Sequence, residues 1–337
     1  MLFLLLGDFS AFAAGETATV DSSAFQFHGF LSQGAIKTTD NNFLLQSKTG
    51  SLDYTEAGLN FTKGLADSLR MGMQLFVQRL GSGTSLDSKL DWAYMDYHPN
   101  DRFGIRFGRV KTPFGLYNDV VDIDSARVPI LLPQSVYPAS NRNFFLAEDG
   151  AEIYGYTGTG SAGALEYRLY GGTMAVPFTN TVGAPIAFER LDTPYLIGAR
   201  LMWDTPLEGF HVSTSLQTLR FDINLQAGGT TEVSLKFPAT LWVTSLRYSH
   251  NDLAITAEYE RIFERINDST NTALFKNGAT LAHGGYGMVA YRFTDWLQPG
   301  LYFSTSLPNL NLTSGRESHQ DDLALTLRFD INPYWII

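Results

Sequence analysis

From Phe25 onward the chain alternates with a period of two. Leu69, Met71, Met73, Leu75 and Val77 fall on one face, and Arg70, Gly72, Gln74 and Gln78 fall on the other. Leu323, Leu325, Leu327 and Phe329 oppose Ala324, Thr326, Arg328 and Asp330, while Ile197, Ala199, Leu201 and Trp203 oppose Gly198 and Arg200. Strand-like segments recur at 25–36, 54–63, 69–80, 88–98, 102–110, 150–157, 164–174, 195–204, 210–221, 239–250, 253–264, 284–294, 297–306 and 322–331. No comparable stretch repeats apolar residues every 3.6 positions, so the pattern predicts an all-β chain.

The connections alternate between short and long. Short ones such as 63–68, 99–101, 204–209 and 251–252 interleave with long ones at 37–53, 111–149, 175–194, 222–238, 265–283 and 307–321. A soluble sandwich has no reason to keep its long loops at one end, whereas membrane barrels join strands by tight periplasmic turns and longer outer loops. The expected fold is therefore a transmembrane antiparallel β-barrel with a periplasmic N-terminus. Aromatics near strand ends (Trp92, Tyr94 and Tyr97; Tyr195 and Trp203; Trp242 and Tyr248; Tyr291, Phe293 and Trp296; Tyr334 and Trp335) fit interfacial girdles. Fourteen strands are complete, and residues 334–337 read as the start of a fifteenth. Single-chain bacterial barrels carry an even number of strands, so the expectation is a sixteen-stranded barrel of which 14–337 lacks the C-terminal hairpin.

Composition narrows the class. The chain has 337 residues, a formal net charge of −10 and no cysteine. An acidic balance argues against nucleic acid as a partner, and the missing thiols remove disulfides and cysteine metal sites. Mean hydropathy is −0.07, and no internal apolar run reaches the eighteen or so residues of a membrane helix. Met1–Ala13 is a short apolar run ending in Ala11-Phe12-Ala13, a small-x-small pattern before Ala14. It reads as a secretory signal cleaved between Ala13 and Ala14, with a buried N-terminal strand as the alternative.

One connection stands apart. Residues 111–149 carry no sustained period, yet they are rich in Phe, Tyr, Leu, Ile and Pro. Loops this long are normally functional or disordered, and disordered segments are poor in aromatics. The expectation is an ordered third outer loop that folds into the barrel and narrows it. Its charged residues are Lys111, Asp119, Asp122, Asp124, Arg127, Arg142, Glu148 and Asp149, an acidic excess that would favour cations and neutral solutes. On the strand phases Arg70, Arg106, Arg168, Arg200, Arg247, Arg292 and Arg328 point into the lumen. They share it with Glu56, Asp91, Glu152, Glu166, Glu258, Glu260 and Asp330. Facing charges of this kind either set a transverse field on permeating ions or simply pair to keep a polar wall rigid.

Catalytic chemistry finds no constellation. The six histidines are scattered, no serine has a GxSxG context, and the glycine-rich runs at 158–163 and 284–287 open no helix. Ser213 or Ser215 beside His211, facing lipid, is the one conceivable hydrolase pair. Asp119, Asp122 and Asp124 have the look of a partial calcium loop but lack its glycine and closing glutamate. The expectation is no enzyme, no metal and no cofactor.

The runs FGIRFGRVKTPFGLYND (103–119), LLPQSVYP (131–138) and EDGAEIYGY (148–156) resemble those of Gram-negative trimeric porins, most nearly the porins similar to the phosphate-selective porin O and P family. Beyond these runs the resemblance is one of architecture from about Phe25 to the end. It implies passive diffusion of small hydrophilic solutes, a homotrimer in outer-membrane lipid, and a constriction made by the third loop. Phosphate selectivity would call for several lysines at the narrow point, and the loop offers Lys111 alone. A substrate-biased channel for phosphate, organic acids or sugars is the alternative reading, with a barrel enzyme behind it.

Overall fold

The computed structural model describes residues 2–6, 25–40, 42–43, 47–80, 86–139, 142, 146–176, 186–270, 277–307 and 319–337. Among them the strands are β1 (Leu2–Leu6), β2 (Gln26–Ile36), β3 (Ser51–Ala66), β4 (Leu69–Leu80), β5 (Asp87–Asn100), β6 (Phe103–Lys111), β7 (Ala147–Gly158) and β8 (Ala164–Thr173). They continue with β9 (Ile186–Asp204), β10 (Phe210–Ala227), β11 (Thr231–His250), β12 (Leu253–Asp268), β13 (Gly278–Tyr291), β14 (Leu297–Leu307), β15 (Gln320–Asn332) and β16 (Trp335–Ile336). Each pairs antiparallel with the next, so spatial order is chain order. β1 to β15 make one continuous sheet, and the two-residue β16 pairs with the end of β15.

The fourteen segments expected from the alternation correspond one for one to β2–β15. Leu2–Leu6, inside the segment read as an export signal, is a strand paired with Gly29–Gln33, and the cleavage pair Ala13 and Ala14 lies outside the described residues.

The long connections are shorter than expected, because several strands run on past the alternating stretch. Residues 222–238 do not form a loop. They are the outer halves of β10 and β11, joined through Gly228 and Gly229. Prolines hid these extensions, since a residue without an N–H normally marks the end of a strand. Pro238 sits inside β11 opposite Arg220, and Pro194 falls where the β9–β10 register shifts between Arg220–Tyr195 and Asp222–Asp192. The hairpin tip carries its own small apolar cluster of Leu225, Val233 and Leu235.

The two faces of the sheet are inverted relative to a water-soluble protein. One face is polar and buried, with Gln74, Asp96, Glu152, Arg200, Ser215 and Ser304 all enclosed. The opposite face exposes large apolar side chains on strand after strand, among them Phe27, Leu75, Phe107, Ile197, Leu216 and Leu301. Leu323 and Leu325 are 75% and 74% exposed. Aromatics collect on that outer face beside the short turns, including Tyr97, Phe103, Trp203, Tyr291, Phe293 and Trp296. Trp92 and Tyr94 depart from the expected girdle. Asp91 is an extra residue between the Gln74–Trp92 and Leu75–Leu90 pairs, and this bulge lets Asp91, Trp92 and Tyr94 all reach the polar side.

Candidate functional site: the loop on the polar face

The connection between β6 and β7 lies against the polar face of the sheet. Pro113, Pro129, Pro133 and Pro138 deny it a regular ladder, and among the described residues short 3-10 turns form at Asn118–Val120 and Asp124–Ala126. Its neck is closed by the Thr112 amide donating to the Leu146 carbonyl at 3.0 Å. Asn118 Nδ2 then donates to the Thr112 carbonyl and hydroxyl at 2.9 and 2.8 Å. The chain turns at Gly115, whose φ is +60° and whose missing Cβ would stand 2.3 Å from the Tyr137 hydroxyl. Glycine suits both the left-handed conformation and that close approach.

The loop is fastened in two chemically different ways. Towards β8–β14 the attachment is apolar: Phe114, Leu132, Val136 and Tyr137 pack on Tyr170, Leu219, Leu241, Val243, Tyr286 and Met288. At its centre Glu258 accepts from Tyr137, Tyr286 and Ser245 hydroxyls, each at 2.6 Å, and from the Leu116 amide at 3.0 Å. Gly284 makes room for the backbone, since a Cβ there would lie 2.1 Å from the Ser135 carbonyl.

Towards the other strands the attachment is ionic. Arg142 forks onto Asp91 of β5 at 3.0 and 2.9 Å and lies over the Phe76 ring. Asp119 takes Arg168 of β8 at 3.1 Å and stands 3.6 Å from Arg200 of β9. Asp122 pairs with Lys111 and accepts from Gln74 of β4. Burial alone would raise the Asp122 carboxyl, but Lys111 and then Arg142 outweigh it and lower it to about 2. Asp119 is likewise held below the usual carboxylate range, against burial, by Arg200, Arg168 and Lys111.

The same few loop residues touch strands from both ends of the sheet order. Ser32 of β2 donates to Asp124 at 2.6 Å, and Asp124 pairs with Arg127. Arg328 of β15 donates to the Ser125 and Arg127 carbonyls at 2.8 and 2.9 Å. The sheet therefore curls until β2 and β15 meet the same short stretch of loop.

The wall arginines form a ladder on this face. Arg70 binds Asp96 at 2.6 Å, and Arg106 binds Glu152 at 2.8 Å while lying 3.5 Å from Asp96. Arg168 and Arg200 share Glu166 at 3.0 and 2.8 Å. The network crosses β4 to β9 with every guanidinium facing a carboxylate. Arg328 and Arg292 share Asp330 near the short turns, at 2.8 and 3.0 Å. Arg247 is half-buried and lies opposite Thr256 in register.

Three residues assigned to the loop sit on strands, the first being Lys111 at the end of β6. Glu148 is fully buried as the second residue of β7. Asp149 is on the outer face, 3.2 Å from Arg109. The loop itself thus keeps three acids, Asp119, Asp122 and Asp124, against Arg127 and Arg142, and its acidic excess shrinks to one. The three acids also go to separate partners, and among the described residues no group of metal-ligating side chains assembles. Ser213 and Ser215 are buried on the polar face, not turned to the outside, and His211 pairs with Asp204 at 2.5 Å. The Glu258 node was not singled out as an anchor, and the only hint of it was the alternation of Glu258, Glu260 and Ile262 along one face.

No family model and no curated protein matches the chain. Among solved structures it is similar to OmpT, an outer membrane protein of Vibrio cholerae, at 13% identity over 94% of this chain and 99% of that one, with a TM-score of 0.46. It is similar to the outer membrane channel DcaP of Acinetobacter baumannii at 12% identity over 90% and 95%, with a TM-score of 0.40. OmpF of Salmonella typhi, solved in complex with daunomycin, matches at 10% identity over 91% and 97%, with a TM-score of 0.43.

Proposed function

We propose that this chain closes into a barrel in the outer membrane of a Gram-negative bacterium, where it lets small hydrophilic solutes and ions diffuse passively through a water-filled lumen. The observation that carries this reading is the inversion of the sheet. Soluble monomers rarely expose contiguous apolar patches beyond a few hundred Å². Here apolar side chains cover the outer face of successive strands while charged groups fill the inner one. Lipid satisfies that arrangement and water does not. The curl that brings β2 and β15 to one stretch of loop supports closure, as does the approach of β1 to β16.

The loop connecting β6 and β7 narrows the passage, so selection is by size first. Charge comes second, because most loop and wall charges are already paired. Lys111 is bound by Asp122, which speaks against a phosphate site there. The resemblance of residues 103–119 and 131–138 to trimeric porins adds a homotrimer to the reading. The test is conductance in planar bilayers across a KCl gradient. Large, steady openings in groups of three support the proposal, and silence from correctly folded protein overturns it.

A further inference from the structure

Along the inner face of β12, Glu258 and Glu260 follow one another with opposite fates. Glu258 is saturated by its four donors. Glu260 is only 6% exposed, yet among the described residues it has no hydrogen-bond or ion-pair partner. A buried carboxylate left alone is costly unless a cation or donor meets it.

Glu260 lines a cleft between the loop and the wall, on the side of the long connections. Glu56 of β3, which takes a single bond from Gln78 at 2.6 Å, lines the same cleft. Leu132 and Val136 of the loop and Ile262 of β12 line it as well and give it an apolar surface. Arg127 and Arg142 also reach the cleft, but Asp124 and Asp91 neutralise them. What remains is two surplus carboxylates over an apolar floor. A cation with an apolar body matches both features, whereas a sugar would waste the floor and an anion would meet Glu56 and Glu260.

We propose that this cleft is a binding subsite for small organic amines, with the ammonium group at Glu260 and the apolar body against Leu132, Val136 and Ile262. The inference rests on the channel reading, since solutes reach the cleft through the lumen. It is tested with phenethylamine, using phenethyl alcohol as the uncharged comparison. Single-channel current in KCl alone reads the channel proposal. Amine added from the long-loop side should then interrupt the current, and the alcohol should not. Glu260→Gln should weaken amine binding about tenfold, the loss of one charge-assisted hydrogen bond. Equal blocking by amine and alcohol, or an unweakened block in folded Glu260→Gln, overturns the subsite. If the folded protein does not conduct, the channel reading fails, and calorimetric titration of detergent-solubilised wild type decides the cleft separately. Heat from the amine that the alcohol does not reproduce supports it, and its absence overturns it. The amine–alcohol comparison on wild type holds even if Glu260→Gln does not fold.

Discussion

Arg142 and Asp91 show how the loop is held at the level of single side chains. The guanidinium is 8% exposed, the carboxylate is fully enclosed, and both bonds of the fork are made. Removing one partner of such a pair is far worse than removing both, because the survivor stays buried and charged. Asp91→Ala is expected to cost about 3–5 kcal/mol, read from urea unfolding in detergent micelles. Asp91→Ala with Arg142→Met should recover much of that loss. Asp122 sets the acid limit of the same attachment. Lys111 and Arg142 lower its carboxyl to about 2 in the folded protein, against about 3.9 for a free aspartate, so its contribution is complete above the free value. The contribution is lost as the pH falls from about 4 towards 2. Stability measured across that window should drop in wild type and stay flatter in Asp122→Asn.

Among elements, the loop between β6 and β7 is the one that depends on all the others. Deleting its middle, 120–138, removes Asp122, Asp124, Leu132, Val136 and Tyr137 from the interior together. Single-channel conductance should then rise while the strands still assemble. An unchanged conductance would mean that the loop lies outside the path of ions. The strands that surround it were legible because one apolar and one polar face enforce strict alternation, as in Leu69–Val77 and Leu323–Phe329. Legibility failed where that enforcement stops. Asp222, Asn224, Gln226 and Gly228 read as loop because the apolar residues change face there: Phe221, Ile223 and Leu225 stand on the side that Ser213, Ser215 and Gln217 make polar earlier in β10, and Pro194 and Pro238 blurred the strand starts further. The bulge at Asp91 could not be read at all, since one added residue changes the facing of Trp92 without changing composition. The aromatic content of the loop pointed to a packed segment, and its described residues do lie against the polar face. Its partners were not legible, because Ser32, Arg328 and Glu258 are remote in the chain.

For the whole molecule, the decisive property is which side of the sheet is dry. Leu325 is exposed in the middle of β15, and Thr326 beside it faces inward. Leu325→Arg should destabilise the protein in lipid vesicles by about 2–4 kcal/mol if it sits at mid-bilayer. Thr326→Arg should cost much less, and equal costs would contradict the proposed lipid face. The loop contacts also carry a consequence in time. Ser32 reaches a partner 92 positions away, and Arg328 reaches carbonyls 203 and 201 positions away. Such links form only after the intervening hairpins are in place, so they are absent from the early stages of folding. Interactions made that late hardly change how fast a chain folds, but they slow its unfolding. The loop is thus a kinetic fastening as well as the proposed constriction: it is set last, and it must be released before the sheet can come apart.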